Sequence, residues 1–323
     1  ILFCMNQRNP ELFDAYRLNV NSGEMEMVGE NWGDITDWLC DHDGKLRLAI
    51  SSDGVNNGVF YRPTEADDWN QIAVYNFRES FAPLFFTFDN RALYASSNVG
   101  RDKAAIVEYN LDTQTENRLI FEHPEVDVNT LTRSTKRKVI TGVYYETDRG
   151  QYHLFDDHRR RIQEFVDAKL PLYQNVVVNT DLDENVYIIY SANDRTYGSY
   201  YWLDVRAWSL NKLFDLAPWL NEDELAEMRS IQYTARDGLP IKGYLSLPPG
   251  VEPKNLPVVV NPHGGPWARD SWGFNPEVQF LVNRGYAVLQ MNFRGSTGFG
   301  RELWEASFKQ WGLSMQEDRK SVV

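Results

Sequence analysis

The stretch Pro257-Val258-Val259-Val260-Asn261-Pro262-His263-Gly264-Gly265-Pro266-Trp267 decides how this 323-residue chain is read. Three consecutive β-branched residues favour a buried strand, and the glycine pair after them lets backbone approach a ligand with no Cβ in the way. Backbone N–H groups at such a strand exit can receive the negative charge that develops on a carbonyl oxygen during acyl transfer. Gly264 and Gly265 are therefore candidate oxyanion donors. Acyl transfer also needs a nucleophile, yet the sharp-turn pattern G-x-S-x-G, with an acid and a histidine behind it, occurs nowhere between Trp267 and Val323. The expectation is an enzyme site of which these residues supply one half.

Downstream, Asn275-Pro276 offers an N-cap and an N1 proline for a helix with Val278, Leu281 and Val282 on one face, stopped by Gly285. Tyr286 to Met291 reads as the next buried strand, and a β-α-β alternation implies a parallel sheet with a right-handed crossover. Upstream, Ile231–Arg236 and Ile241–Leu247 form a hairpin around Asp237-Gly238. His263 reads as a brace for its loop, because a catalytic base should follow its nucleophile and none precedes it. The glycine-rich run Asn292 to Gly300 lacks the Lys-Ser/Thr of a phosphate loop, and Arg294 stands where an elbow around Ser296 would need glycine. The helix predicted over Arg301 to Lys309 packs Leu303, Trp304 and Phe308 into core.

From Ile1 to about Pro218 the chain reads as short alternating strands with no convincing helical period. An aromatic-x-Leu-Asp/Asn element recurs at Tyr16–Asn19, Tyr109–Asp112 and Tyr201–Asp204, with degenerate copies near Phe60-Tyr61 and His153–Asp156. Between these lie polar turns at Asp41–Gly44, Asp89-Asn90, Ser134–Lys136 and Asp181–Glu184. Both series step by roughly 45 to 49 residues, the length of a four-stranded propeller blade, so about four to five blades are expected. An ordinary β-sandwich with hairpins of similar length is the alternative. His153, Asp156, Asp157 and His158, beside Arg159-Arg160-Arg161, read as a solvated turn on a hairpin rather than a metal site. Two domains are expected, 1–218 and 219–323.

With 33 Lys plus Arg against 46 Asp plus Glu, the formal charge of −13 argues against a nucleic-acid partner. No window approaches the roughly 18 consecutive apolar residues of a membrane span. Cys4 and Cys40 are either two thiols or one bridge, which leaves the compartment, cytoplasmic or periplasmic, undecided.

The hairpin at Thr234-Ala235-Arg236-Asp237-Gly238, the His263-Gly264-Gly265-Pro266 loop and the run Asn292 to Gly300 together resemble the prolyl oligopeptidase family of serine peptidases, most of all its acylaminoacyl-peptidase-like branch. The resemblance implies a partial β-propeller followed by the N-terminal part of an α/β-hydrolase domain, a serine peptidase acting on short peptides, and no cofactor. It carries the backbone donor role onto Gly264 and Gly265, and implies that Trp267 lines the substrate cavity. It also implies that Met315-Gln316-Glu317-Asp318 opens the helix before the nucleophile strand. The triad would then lie outside these residues, and the 323 residues alone should be inactive. Two alternatives stand beside this reading: a non-catalytic propeller that binds peptides or proteins, and an esterase fused to a propeller.

Overall fold

A computed structural model describes residues 1–320, which fall into two compact units. The first comprises Ile1–Pro124 with Val128–Thr130; the second comprises Glu125–Asp127 and the residues from Leu131 onward.

The first unit is built from three antiparallel meanders in which each strand pairs with the next in sequence. They are β1 (Leu2–Asn9), β2 (Leu12–Leu18) and β3 (Met25–Gly29); β4 (Ile35–Cys40), β5 (Leu46–Ser52), β6 (Asn56–Tyr61) and β7 (Asn70–Asn76); and β8 (Phe81–Phe86), β9 (Ala92–Ser97), β10 (Ala105–Asn110) and β11 (Thr115–Phe121). Side chains alternate across a strand, so each sheet presents an apolar face to its neighbour. Ala15 of the first meander packs with Trp38, Leu46 and Ala49 of the second. Leu48 and Val59 of the second pack in turn with Phe86, Leu93 and Val107 of the third. The repeat in the sequence is visible as contact: the backbone N–H of His42 donates to Asn90 Oδ1, 48 residues away, at 3.0 Å. Asn90 Nδ2 donates back to Asp43 at 3.0 Å, so equivalent turns of successive meanders touch. Cys4 and Cys40 are free thiols, and burial pushes the Cys40 thiol up to about 11.

The second unit continues with a three-stranded meander of β12 (Thr130–Ser134), β13 (Val139–Glu146) and β14 (Gly150–Leu154), and a four-stranded one of β15 (Gln174–Thr180), β16 (Val186–Asn193), β17 (Thr196–Asp204) and β18 (Ser209–Asp215). Its turns touch at the same interval, Lys136 Nζ donating to the Asp183 carbonyl 47 residues on. The architecture of these elements is a series of open antiparallel sheets, none closed on itself, which is what a propeller requires.

Between β14 and β15 the structure corrects the sequence reading: helix α1 (Asp157–Lys169) stands where a solvated turn was expected. Asp156 is its N-cap, accepting the Arg159 N–H at 2.8 Å, with Asp157 in the first turn and Lys169 in the last, the charge placement a helix dipole favours. Ile162 and Val166, four apart, bury against Tyr187, Ile189 and Leu203. Three successive arginines and this narrow apolar stripe hid the helical period. His153 lies in β14, Asp156 caps the helix and His158 Nε2 meets the Tyr187 hydroxyl at 3.3 Å, so the cluster is dispersed.

The remaining strands form a mixed sheet in the order β19-β20-β22-β21: β19 (Met228–Thr234), β20 (Pro240–Ser246), β21 (Val258–Val260) and β22 (Ala287–Asn292). β19 and β20 are the expected hairpin, and β21 runs parallel to β22 with α2 (Pro276–Val282) between them. Asn275 caps α2 through the N–H groups of Glu277 and Val278, and Val278 and Val282 bury with Val288. One expectation fails: β21 is an edge strand among the described residues, paired only to β22, and Val258 is 56% exposed rather than buried. The helix predicted from Arg301 to Lys309 ends early, as α3 (Arg301–Glu305), and α4 (Ser314–Lys320) follows.

Candidate active site

The glycine loop leaves the sheet because proline takes over. The Asn261 N–H still donates to Leu289 of β22 at 2.8 Å, but Pro262 has no N–H and the pairing stops there. Gly264 and Gly265 follow. Among the described residues neither amide meets an acceptor. Gly265 sits at φ +127°, where a Cβ would lie 2.7 Å from the Trp267 nitrogen, whereas a Cβ on Gly264 would meet open space. The second glycine is a steric requirement of this turn and the first is not.

His263 braces the loop from inside. Its ring stacks on Phe293 with centroids 4.5 Å apart, Nδ1 lies 2.7 Å from the Gly264 carbonyl, and Nε2 lies 2.8 Å from Ser296 Oγ. A carbonyl only accepts, so Nδ1 is the donor, and in the neutral ring Nε2 accepts the Ser296 hydroxyl. Ser296 is fully buried and its own N–H donates to the Phe293 carbonyl. A serine enclosed in this way has no approach for a substrate, in keeping with its rejection as a nucleophile.

The loop beyond is held by buried polar residues of β22. Asn292 Oδ1 accepts the Asp270 N–H at 2.8 Å, Asn292 Nδ2 donates to the Asp270 carbonyl at 3.0 Å, and Gln290 Nε2 donates to Asp270 Oδ1 at 2.8 Å. Buried amides need partners, and Asp270 supplies them. Burial pushes the Asp270 carboxyl up from the usual aspartate range. Arg269 lies 4.4 Å over the Phe299 ring and pairs with Glu146 of β13 at 3.4 Å. Gly298 makes room for that guanidinium, since a Cβ there would come within 2.6 Å of Arg269 Nη1. The glycine run that could have held phosphate is thus occupied by protein. Thr297 ties the two segments together, its N–H donating to the Ala268 carbonyl at 2.9 Å.

Trp267 is 53% exposed. It stands against Trp304 and Phe308, at 5.7 and 6.4 Å between centroids, so these two rings serve Trp267 instead of a sealed core.

Sequence reasoning missed a buried ion pair. Arg294 grips Asp318 of α4 through its N–H at 3.0 Å, Nε at 2.9 Å and Nη2 at 2.7 Å, and also reaches Asp237 at 2.8 Å. The Arg294 guanidinium holds the Asp237 carboxyl below the usual range. Arg294 and Asp318 were each noticed, but 24 residues separate them and only the fold shows that they meet.

The sequence profile of the prolyl oligopeptidase family matches residues 272–323. Dipeptidyl aminopeptidase BIII of Pseudoxanthomonas mexicana is 31% identical over 335 residues, covering 100% of this chain and 48% of that protein. The chain is thus similar along its whole length to a dipeptidyl aminopeptidase and carries the prolyl oligopeptidase profile over residues 272–323. Dipeptidyl peptidase family member 6 of Caenorhabditis elegans is 28% identical over 364 residues, again across 100% of this chain and 48% of its own length. Among solved structures, a Mycobacterium tuberculosis puromycin-hydrolyzing peptidase superposes with a TM-score of 0.72 over 96% of this chain and 50% of that one, at 18% identity, a likeness of fold. The chain spans about half the length of the curated relatives it matches. The matched profile begins just after the glycine loop and takes in α2, β22, Arg294 and Asp318.

Proposed function

We propose that the protein is a serine peptidase that hydrolyses short peptides, and that this chain supplies the oxyanion side of its active site. The observation that carries the reading is the glycine loop: two amides without an acceptor among the described residues, at the end of a parallel strand, in a turn braced by His263, Ser296 and Asp270. The N–H groups of Gly264 and Gly265 stabilise the oxygen of a tetrahedral intermediate, and losing one such donor typically costs about 3 kcal/mol of transition-state stabilisation. The nucleophile is a serine outside these 323 residues. Trp267, with Trp304 and Phe308 behind it, forms an apolar wall for the substrate.

In the same reading residues 1–218 are about four to five blades of a β-propeller, and residues 219–323 are the first part of an α/β-hydrolase domain. The relatives named dipeptidyl aminopeptidase and dipeptidyl peptidase favour release of dipeptides from a free N-terminus. The full-length protein should therefore cleave dipeptidyl p-nitroanilides faster than their N-acetylated counterparts. Hydrolysis of simple esters with no cleavage of either anilide would contradict the assignment.

A further inference from the structure

The three arginines at the start of α1 have different fates. Arg160 and Arg161 are exposed, whereas Arg159 is turned inward and only 8% exposed. Arg159 Nη2 donates to Gln163 Oε1 at 3.0 Å and the guanidinium stands 5.6 Å from the centre of the Tyr152 ring, but Nη1 has no acceptor among the described residues. The neighbouring carboxylates are engaged elsewhere. Asp156 caps the helix and pairs with Arg137 at 2.5 Å; Glu184 also pairs with Arg137, at 2.9 Å; Asp167 accepts from Gln163 and Asn175. Arginine stays protonated in proteins, so Arg159 is a buried positive charge with no direct ion pair, acted on by Asp167 and Asp156 only at longer range, and its unpartnered Nη1 is unfavourable unless an acceptor completes it.

Beside it lies a cavity of about 320 Å³, walled by Arg159, Tyr152, Arg133, Arg137, Val178 and Glu184. Its threonine hydroxyls are committed to protein acceptors: Thr132 to the Gly142 carbonyl, Thr141 to Thr132 and Thr180 to the Val186 carbonyl. The strongest recognition group left for a ligand is the open Nη1 donor of Arg159. Arg137 is already neutralised by two carboxylates, and Glu184 on the wall repels a multiply charged guest. A guanidinium with no direct ion pair and an open donor, beside a carboxylate, calls for a single negative charge on a small group.

We propose that this cavity binds a small carboxylate, with Arg159 as its counter-ion and the Tyr152 ring as its apolar floor. The proposal does not depend on the peptidase reading, since none of these residues belongs to the glycine loop. Two sources share this chemistry, a free small acid and the C-terminal carboxylate of a peptide.

The test is calorimetric titration of the full-length protein with acetate, with acetyl-dialanine and with acetyl-dialanine amide, at matched chloride. We expect saturable binding of the acids, none of the amide, and at least a tenfold loss of acid affinity in Arg159→Met. Tighter binding of acetyl-dialanine than of acetate identifies a peptide terminus; the reverse identifies a free acid. Failure of both acids to bind, or equal binding of the amide, overturns the proposal, as does unchanged affinity in Arg159→Met. Should that variant not fold, crystals of the unaltered protein soaked in bromoacetate decide the matter: an anomalous bromine peak in the cavity beside Arg159 is expected, and its absence refutes the site.

Discussion

Asp318 of α4 is completely enclosed and receives three donors from Arg294, its backbone N–H and two guanidinium nitrogens, across 24 residues of sequence. This contact fixes the end of β22 to the helix. Breaking a buried pair by removing one partner leaves the other charge stranded, which typically costs about 3 to 5 kcal/mol. Arg294→Met, which strands the enclosed Asp318, should cost about that much by urea unfolding, and Asp318→Ala less, because Arg294 keeps Asp237 at 2.8 Å; Arg294→Met combined with Asp318→Leu should recover much of the loss. A single variant as stable as the unaltered protein would show that the pair is dispensable.

The two glycines of the loop should respond differently to a methyl group. Gly264→Ala introduces a Cβ into open space, so folding should be unchanged; Gly265→Ala places one 2.7 Å from the Trp267 nitrogen at a backbone angle that L residues avoid. In the full-length protein Gly265→Ala should lower kcat by on the order of a hundredfold, with little change in KM, because the donor acts only in the transition state. Circular dichroism and steady-state kinetics on both variants check this. Equal kcat in the two would refute a special role for the second glycine.

Ser296→Ala should keep peptidase activity within a few-fold of the original, since that hydroxyl is buried and bonded to His263. A fluorophosphonate probe should leave Ser296 unlabelled in the intact protein. Peptide mapping that finds the adduct on Ser296 would overturn the placement of the nucleophile elsewhere.

Two carboxyls, the buried Asp14 and the half-buried Asp270, give stability opposite pH dependences. Asp14 is held below the usual aspartate range by the Arg8 guanidinium, with the Asn31 N–H adding to it, so its contribution is present above the ordinary pKa of about 3.9 and is lost as pH falls through the lowered value. Asp270 is raised by burial, so its contribution is present below the ordinary value and is lost as pH rises through the raised one. Asp14→Asn should flatten the acid limb of a plot of urea midpoint against pH, and Asp270→Asn the limb above it. Unaltered curves in both variants would contradict the assignments.

Much of this was legible in the sequence because local chemistry decided it. The Asp237-Gly238 hairpin, the Asn275-Pro276 helix start and the turn repeat are short-range signals, and the structure contains all three. Two failures have the same physical origin. α1 carries its apolar face on few residues within a strongly charged segment, and β21 has one strand partner among the described residues despite a composition suited to full burial. Periodicity reports which face is apolar, and it does so poorly when the face is narrow or its partner is set by tertiary structure. The grip of Gln290 and Asn292 on Asp270, and of Arg294 on Asp318, joins residues about 20 apart, beyond any pattern of period.

The central claim is that the Gly264 and Gly265 amides receive the developing oxyanion. The most direct measurement is a crystal structure of the full-length protein with a dipeptidyl boronate bound to its nucleophile. The account predicts one boronate oxygen about 2.7 to 3.1 Å from an amide nitrogen of this glycine pair. A boronate whose oxygens bond only to other groups, with both glycine amides turned away, would contradict it.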